Sequence, residues 1–477
     1  DRIVTVLGPD SNTIQSWLGD INFVIQQEQL GTGHAVSAAR DAVVEDDTIS
    51  IIMFADTPLV TAPSLQALIN KVARGAAIAI AAFETQDPTG YGRLVQGDQG
   101  NILRIVEHAE ASQCERQITM CNGGIMAVRT KKLFDLLDRV TNTNSKGEFF
   151  LTDIVALASA DGDKVSYQLL EQTEIMGVDS RQGLAAAEAA LQRRLRRAAF
   201  EGGVTIYAPE TVFLAADAVL ERDVIIEPHV VIGGGCHIGE GSIIRSFSYL
   251  EGTRLGVCCV VGPFARLRPN TNAEEGVHIG NFVETKNTRL QAGAKANHLS
   301  YIGDAEVGIA ANIGAGTITC NYDGFGKHQT LIGEGAFIGS NTSLVAPVSI
   351  GARAIIGAGS TIVDNVAEDS IALTRSIQQE KKKAAMKFRE KRKNGLTIDI
   401  KPNIPKVDDR KLEKGEKLLV LSEQAPGDVI FHMRYLLPLK QQGIDLSFCA
   451  PEKLHSLIKD SGIHPNPLSP EECSLVK

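Results

Sequence analysis

The sequence predicts an α/β domain followed by a parallel β-helix. Two observations carry this prediction: apolar strand-like runs alternate with helical patterns over residues 1–177, and aliphatic residues recur every six positions from about 220 to 365. The composition agrees, since 45 glycines and 5% aromatic residues suit a fold with many tight turns. A chain of 477 residues is long enough for about three domains.

The α/β part is predicted from short segments. The runs TISIIMF (48–54) and AAIAIAAF (76–83) are typical of buried strands, and APSLQALINKVARG is typical of a helix. Residues 181–201 are rich in Ala, Leu and Arg, lack proline, and stop at a pair of glycines. This composition predicts a linking helix that ends at the glycine pair.

The six-residue period is regular in two stretches. The residues that carry it are Ile226, Ile232, Ile238, Ile244 and Leu250, and then Ile332, Ile338, Leu344, Ile350, Ile356 and Ile362. Six residues supply one short strand and one turn, so we expect these side chains to stack inside. The glycine that often follows is expected to allow a tight or positive-φ turn. The period breaks at about 264–301 and at 317–330, where we expect loops that bind ligands on one face.

Charge and hydropathy argue against two classes of partner. A net charge of −9 disfavours nucleic acid or an anionic membrane as the main partner, because either requires a broad basic face. No apolar run approaches the roughly 18 residues of a membrane helix, and no signal-peptide pattern opens the chain. We therefore expect a soluble, cytoplasmic protein without a nucleic-acid or membrane partner.

The local sequence alone makes two residues candidates for catalysis or metal binding. His298 lies in AKANHLSYIGDAEVG (294–308), beside a break in the period, and imidazole can accept a proton near neutral pH. The alternative is a structural or surface histidine. Asp56 follows an apolar run at the expected carboxyl edge of the sheet, where a carboxylate can hold magnesium. The alternative is that Asp56 only begins a turn before Pro58.

The C-terminal part has a different character. Residues 378–395 form the charge run QQEKKKAAMKFREKRKNG, which we interpret as a solvated linker. The segments KLLVLSE, QAPGD, VIFHMRYLLPLKQQG and IDLSFCA then predict a strand, a loop, a helix and a strand.

A set of longer motifs in collinear order carries a resemblance to a known family. The motifs are EQLGTGHA (28–35), DPTGYGR (87–93), IVEH (105–108), GPFARLRP (262–269), GNFVETKN (280–287), KANHLSYIGDAEVG (295–308) and NIGAGTITCNYDG (312–324). Over residues 1–378 the chain resembles the GlmU family of bacterial bifunctional enzymes. These are N-acetylglucosamine-1-phosphate uridyltransferases and glucosamine-1-phosphate N-acetyltransferases. The resemblance implies a Rossmann-like nucleotidyltransferase domain and a left-handed β-helix that forms a homotrimer and binds acetyl-CoA between subunits.

For the β-helix the resemblance implies acetyl transfer from acetyl-CoA to glucosamine-1-phosphate, with His298 as the base. The sugar-phosphate contacts that it implies are Arg268, Lys286, Tyr301 and Asn312. The acetyl-CoA contacts that it implies are Ala315, Asn321, Tyr322, Ser340, Ala358 and Arg375. Fixed cations can pair with a phosphate dianion, and small side chains leave room for a pantetheine arm.

For the N-terminal domain the resemblance implies uridylyl transfer from UTP to N-acetylglucosamine-1-phosphate, which gives UDP-N-acetylglucosamine and pyrophosphate. The cofactor that it implies is Mg²⁺, held by Asp56 and Asp179. The UDP-N-acetylglucosamine contacts that it implies are Gln26, Gln29, Gly31, Thr32, Phe54, Ala55, Asp56, Gly92, Glu107, Asn122 and Asp179. On the residues alone, Asp179 could instead cap the linking helix.

The chain departs from the family pattern in three places. The family's first strand and glycine-rich phosphate loop precede Asp1, and the family's magnesium-binding Asn corresponds to Asp179. The segment from about 396, with LLVLSEQAPGDVIFHMRYLLPL, resembles the start of a heptosyltransferase-type glycosyltransferase. We therefore expect impaired uridyltransferase activity in this chain. The alternatives are an acetyltransferase with an inactive uridyltransferase remnant, and a non-catalytic β-helical scaffold.

These segments predict five regions. They are a truncated nucleotidyltransferase domain (1–178), the linking helix (179–203), the β-helix acetyltransferase domain (204–376), a charged linker (377–409) and a partial α/β glycosyltransferase-like segment (410–477).

Overall fold

The computed structural model describes residues 3–43, 48–97 and 100–393, together with two strands at 417–421 and 445–449. The chain divides into two compact units, Asp1–Arg375 and Ser376–Lys477. The first unit contains an α/β sheet, a long helix and a parallel β-helix, in that order. The predicted fold class is confirmed.

The described helices α1–α7 are Asn12–Leu18, Thr32–Ala38, Ala62–Ala73, Thr130–Leu137, Asp153–Ala160, Arg181–Glu201 and Ala384–Lys393. The strands β1–β8 of the α/β part are Val4–Leu7, Asn22–Ile25, Ile49–Ile52, Ile78–Glu84, Arg93–Gln96, Ile102–Val106, Met120–Arg129 and Val165–Leu169. The strands β9–β33 of the β-helix are Thr205–Ile206, Phe213–Leu214, Val219–Leu220, Ile225–Ile226, Val231–Ile232, His237–Ile238, Ile243–Ile244, Tyr249–Leu250, Thr253–Leu255, Val260–Val261, Arg266–Leu267, Thr271–Ala273, His278–Asn281, Glu284–Leu290, Lys295–His298, Tyr301–Val307, Asn312–Ile313, Ile318–Cys320, Thr330–Ile332, Phe337–Ile338, Ser343–Val345, Val348–Ile350, Ile355–Ile356, Thr361–Ile362 and Ile371–Ala372. The strands β34 and β35 of the second unit are Lys417–Leu421 and Asp445–Cys449.

The α/β part is built around a mixed sheet. Its strand order is β6-β5-β7-β4-β8 with β3 paired to β7, while β1 and β2 form a separate parallel pair. Along β4 the side chains alternate between two apolar clusters, so that Ile78 belongs to one and Ala79 to the other. Burial on both faces explains why this strand is a continuous apolar run in the sequence.

The linking helix α6 has the predicted bounds, and its start is well defined. Ser180 is the N-cap residue, and its Oγ accepts a hydrogen bond from the backbone N–H of Gly183 at 3.0 Å. The interpretation of Asp179 as the helix cap is therefore wrong, and its carboxylate lies one residue outside the helix cap.

The repeat region forms stacked coils. All the aliphatic residues that define the six-residue period are buried in one continuous core. Successive coils pair through short parallel strands, as between Ile226 and Ile244, and three steps of the period separate these two residues. Three hexapeptide units therefore make one coil, and the prediction of a hexapeptide β-helix is confirmed.

The glycines after these aliphatic residues have a different role from the predicted one. Gly239 and Gly339 do not have a positive φ. A Cβ on Gly239 would lie 2.5 Å from the Gly256 carbonyl carbon of the next coil. The left-handed backbone occurs instead at the corners, at large residues such as Phe264 (φ 57°) and Phe282 (φ 55°). Close contact between coils, rather than turn geometry, selects glycine at the repeat position.

The break in the period at 264–301 does not produce a loop, so that expectation is wrong. The coils continue, but some are shorter by a single residue. Ile232 pairs with Leu250, and Leu250 pairs with Leu267, so the sequence separation between paired residues is one smaller in the second case. Two strands of this region, β22 and β24, lengthen to seven residues. The second break does produce a loop, at 321–329 between β26 and β27.

The second unit is described only in part. Helix α7 occupies part of the predicted charged linker, and β34 and β35 correspond to the two predicted strands and pair in parallel. The predicted loop and helix between those strands lie outside the described residues, and the resemblance to a glycosyltransferase stays a prediction. None of the helices in the described ranges combines the length and apolar character that a membrane span requires.

Candidate active sites

His298 lies at a corner of the β-helix. It is the last residue of β23 and is exposed, and Leu299 follows with left-handed backbone (φ 52°) before the chain enters β24. The neighbouring strand is β21, and its register places Asn281 beside His298. Nδ1 of His298 lies 2.7 Å from Oδ1 of Asn281, which is a hydrogen-bond distance.

Three cationic side chains converge on the strands that follow this corner. Arg268 and Lys286 lie on successive coils, and the loop 321–329 brings Lys327 to Lys286. The pKa of Lys286 is lowered, chiefly by its contact with Lys327 and then by Arg268, because neighbouring positive charges disfavour the protonated amine. Nη1 of Arg268 donates to Glu284 at 2.9 Å. The carboxylates beside these three cations are Glu284 and Asp304, so the cations are in excess and the site suits a phosphate dianion.

Sequence analysis missed Lys327. The available signal was its position in TITCNYDGFGKHQT, the second break in the period, which we expected to form a ligand-binding loop.

Tyr301 and Asn321, one predicted to contact the sugar and the other acetyl-CoA, meet on this face. Nδ2 of Asn321 lies 3.4 Å from the Tyr301 hydroxyl and also donates to Asp304. Asn321 is buried, so its amide is engaged within the chain. A Cβ on Gly303 would overlap the Tyr301 hydroxyl and lie 2.8 Å from Nδ2 of Asn321. Gly303 thus leaves the space in which the tyrosine lies.

A ladder of small residues extends from the coil of His298. Backbone hydrogen bonds place Ala315, Ser340 and Ala358 in successive coils beyond it. Nη1 of Arg375 donates to the carbonyl oxygen of Ala358 at 3.1 Å, so this arginine lies at the far end of the ladder. The ladder connects a histidine at one end with a cation at the other.

Two predicted contacts lie apart from this arrangement. Asn312 pairs with Lys295 in the sheet that precedes the corner, whereas Tyr301 lies in the sheet that follows it. Tyr322 lies on the loop and is 62% exposed, and its hydroxyl donates to the carbonyl oxygen of Gly324 at 2.7 Å.

In the α/β part, four predicted contacts lie at or near the start of α2. Nε2 of Gln26 donates to the carbonyl oxygen of Gly31 at 3.2 Å. The Thr32 hydroxyl accepts from the backbone N–H of Leu151 at 3.0 Å. The side chain of Gln29 lies against Gly8, where a Cβ would come within 2.7 Å of its Nε2.

A second group lies around the sheet. A Cβ on Gly92 would lie 3.5 Å from Cβ of Asn122 and 3.6 Å from Oε1 of Glu107, so these three residues are neighbours. Oδ1 of Asn122 accepts from the backbone N–H of Gly124 at 3.0 Å, and the ring of Phe54 lies against the same glycine. Ala55 follows Phe54 in the turn that leads to Asp56.

The two predicted metal ligands lie on contacting segments. Asp56 is in a turn shortly after the end of β3, and its carbonyl oxygen accepts from the backbone N–H of Val178 at 2.8 Å. This bond brings the segment of Asp179 beside it, and both aspartates are exposed. Within the described ranges, no group of three or more His, Cys, Asp or Glu side chains is placed to hold a metal ion. Two carboxylates are sufficient for Mg²⁺, which commonly takes its other ligands from phosphates and water.

Comparison with known proteins agrees with both halves of the fold. The Nucleotidyl transferase family model matches residues 10–177, and the Bacterial transferase hexapeptide (six repeats) model matches 217–252 and 329–364. The Bifunctional protein GlmU of Bradyrhizobium sp. (strain ORS 278) is 51% identical over 392 residues, 81% of this chain and 87% of the relative. That of Azorhizobium caulinodans is 50% identical over 396 residues, 82% of this chain and 88% of the relative. A solved structure of LpxA from Acinetobacter baumannii is 20% identical, covers 34% of this chain and 67% of its own, and gives a TM-score of 0.28.

A nucleotidyltransferase fold joined to a hexapeptide β-helix defines a transferase with two separate sites. The relatives narrow this class to one family, since they match both halves in a single alignment. The chain belongs to the GlmU family. It is therefore a bifunctional enzyme with acetyltransferase and uridyltransferase activity, and the scaffold interpretation is set aside. The expected impairment of uridylyl transfer stays a prediction.

Proposed function

We propose that the corner around His298 transfers the acetyl group of acetyl-CoA to the amine of glucosamine-1-phosphate. The amine nitrogen attacks the thioester carbonyl carbon, and a C–N bond forms while the C–S bond breaks. Nε2 of His298 accepts the proton that the amine loses, and the proton then passes to the CoA thiolate. In this proposal Tyr301 binds the sugar hydroxyls from the sheet that follows the corner and Asn312 from the sheet that precedes it, so the sugar lies across the corner.

The observation that carries the proposal is the convergence of Arg268, Lys286 and Lys327 near the histidine corner. Two amines whose charges repel each other are stabilised by a dianion between them. The phosphate of glucosamine-1-phosphate supplies this charge, and fixing the phosphate positions the amine of the same small molecule.

Acetyl-CoA lies along the ladder of Ala315, Ser340 and Ala358 in this proposal. The pantetheine arm follows the small side chains toward His298, and Arg375 binds a phosphate at the far end. Asn321 and Tyr322 contribute from the loop. The direction of the ladder supports this assignment, because it connects an anion-binding group to the base.

Replacing His298 by alanine should lower the acetyl-transfer rate by roughly 10² to 10⁴, the usual contribution of a general base. Release of free CoA thiol with glucosamine-1-phosphate as acceptor measures the rate. His237→Ala is the matched control, since this histidine lies on the same β-helix and pairs with Glu221. Near-normal turnover of a folded His298→Ala protein would refute the assignment.

For uridylyl transfer, we propose that Asp56 and Asp179 hold Mg²⁺, which neutralises charge on the reacting phosphates when bound. The contact between their segments and the exposure of both carboxylates support this pairing. The remaining predicted contacts form the two groups around α2 and around Gly92, and together they would bind UDP-N-acetylglucosamine. Their members are Gln26, Gln29, Gly31, Thr32, Phe54, Ala55, Gly92, Glu107 and Asn122.

We also propose that the enzyme is a cytoplasmic homotrimer with the five regions predicted from the sequence. Small phosphorylated sugars, UTP and acetyl-CoA are its partners. An exposed row of aromatic rings at the corner that leads to His298 supports self-association.

A further inference from the structure

We infer that Asn281 positions the histidine that accepts the proton, by accepting a hydrogen bond from Nδ1–H of His298. The inference rests on the proposed function, because it assumes that His298 is the base. It assigns a role to a residue outside the predicted site: Asn281 selects the imidazole tautomer in which Nε2 carries the lone pair.

The geometry places the two side chains in adjacent coils. Strands β21 and β23 pair in parallel, and the register matches His298 to Asn281. The separation between Nδ1 and Oδ1 is 2.7 Å. An amide oxygen can only accept, and a neutral imidazole has one N–H group, so this bond requires the proton on Nδ1. Nε2 is then the nitrogen that can take a proton from the substrate amine.

The residues on both sides of Asn281 are held in place. Gly280 packs so closely that a Cβ there would overlap the backbone of Asn297. Phe282 stacks on Phe264 with ring centroids 5.2 Å apart. Asn281 itself is partly buried. A group fixed on a rigid strand can hold the imidazole in one orientation before the substrate arrives.

The neutral amide has a second consequence. A carboxylate at this position would also orient the ring, but it would stabilise the imidazolium and raise the pKa of the histidine. The charged and titratable groups that share a depression of about 190 Å³ with Asn281 and His298 are Arg245 and His278. The cations of the phosphate site lie beyond the corner. The amide of Asn281 orients the imidazole ring of His298 without placing a negative charge beside it.

Two substitutions of Asn281 distinguish the effect of orienting the His298 ring from the effect of placing a charge beside it. Asn281→Ala removes the acceptor, and we expect kcat for acetyl transfer to fall roughly 10- to 100-fold, as the loss of a group that orients a functional histidine commonly does, with little change in KM for acetyl-CoA. Asn281→Asp restores the acceptor, and we expect kcat to recover at high pH. Its ascending pH limb should move up by about one pH unit or more, because the carboxylate favours the protonated imidazole.

Asn272→Ala is the control, since Asn272 is an exposed, outward residue on β20. Circular dichroism and light scattering of each variant check the fold. The inference is overturned if Asn281→Ala keeps the wild-type kcat, or if Asn281→Asp leaves the pH profile unchanged. Failure of the proposed function is a different result, namely near-normal turnover of His298→Ala.

Discussion

Gly303 shows how one missing side chain shapes the acetyl-transfer site. It lies on β24 beneath the ring of Tyr301, and the hydroxyl of that ring reaches toward Asn321. Gly303 does not have a positive φ, so an alanine there meets no backbone strain. Its Cβ would meet the tyrosine hydroxyl instead. A substitution at this position therefore displaces the tyrosine while leaving the strand geometry acceptable.

Gly303→Ala should lower kcat/KM for glucosamine-1-phosphate by roughly 10- to 100-fold, because small displacements of a substrate contact are costly. Steady-state kinetics with varied sugar phosphate measures this. Gly234→Ala is the matched control, since a Cβ there meets only Asp217 at ordinary contact distance, 3.5 Å and beyond. Unchanged kinetics in Gly303→Ala would show that Tyr301 does not contact the sugar.

At the scale of elements, the loop 321–329 is organised by one carboxylate. Asp323 accepts from the backbone N–H groups of Phe325 at 2.8 Å and Gly326 at 2.7 Å, and its other oxygen lies 2.7 Å from Nε2 of His328. These contacts, the Gly326 and Phe325 backbone groups first, hold the pKa of Asp323 well below its usual range. A folded pKa below the unfolded value means that the carboxylate stabilises the loop above the unfolded pKa of about 3.9. The contribution is lost as pH falls through the folded pKa.

Asp323→Ala should therefore loosen the loop at neutral pH, where the wild-type carboxylate contributes fully. Hydrogen exchange of the Phe325 and Gly326 amides should be faster in the variant near pH 7. Because the loop carries Lys327, KM for glucosamine-1-phosphate should rise as well. Asp217→Ala is the control, since Asp217 accepts from the backbone N–H of Gly235 at 2.8 Å in another turn. Equal exchange in the variant and the wild type would contradict this role.

At the scale of the whole molecule, one corner of the β-helix carries a row of exposed rings. His229, Phe247, Phe264 and Phe282 stack in successive coils with centroid distances of 4.9, 4.9 and 5.2 Å. The three phenylalanines are 45 to 55% exposed. The register that matches Asn281 to His298 places Leu299 in the coil after Phe282, at the end of the row. Burial of such a row against a second copy would remove apolar surface from water and place that copy next to the site.

Light scattering of the purified chain should show a trimer. Phe264→Glu should weaken the association, because a charge would replace a ring that we place between copies, and acetyltransferase activity per chain should then fall on dilution. Phe200→Glu changes an equally exposed ring on α6 and serves as the control. A monomer with full activity at assay concentration would refute the shared site.

Much of the fold was predictable because its signals are local and repeated. The linking helix has the predicted bounds, and the six-residue aliphatic period became the β-helix core. The expectation of a loop at 264–301 was wrong. Coils in that region shorten by a single residue, and the chain stays within the β-helix. The role given to glycine was also wrong, because contacts between coils cannot be seen in a single hexapeptide.

The sequence alone determined the two-part architecture, the family resemblance and the candidates His298, Arg268 and Lys286, since each depends on residue type in a short motif. Only the tertiary structure decided which side chains meet. Lys327 reaches Lys286 through the loop 321–329, and Asn281 reaches His298 from the preceding coil. The physical reason is register: contacts between coils depend on the length of each coil, and a change by a single residue decides which side chains lie side by side.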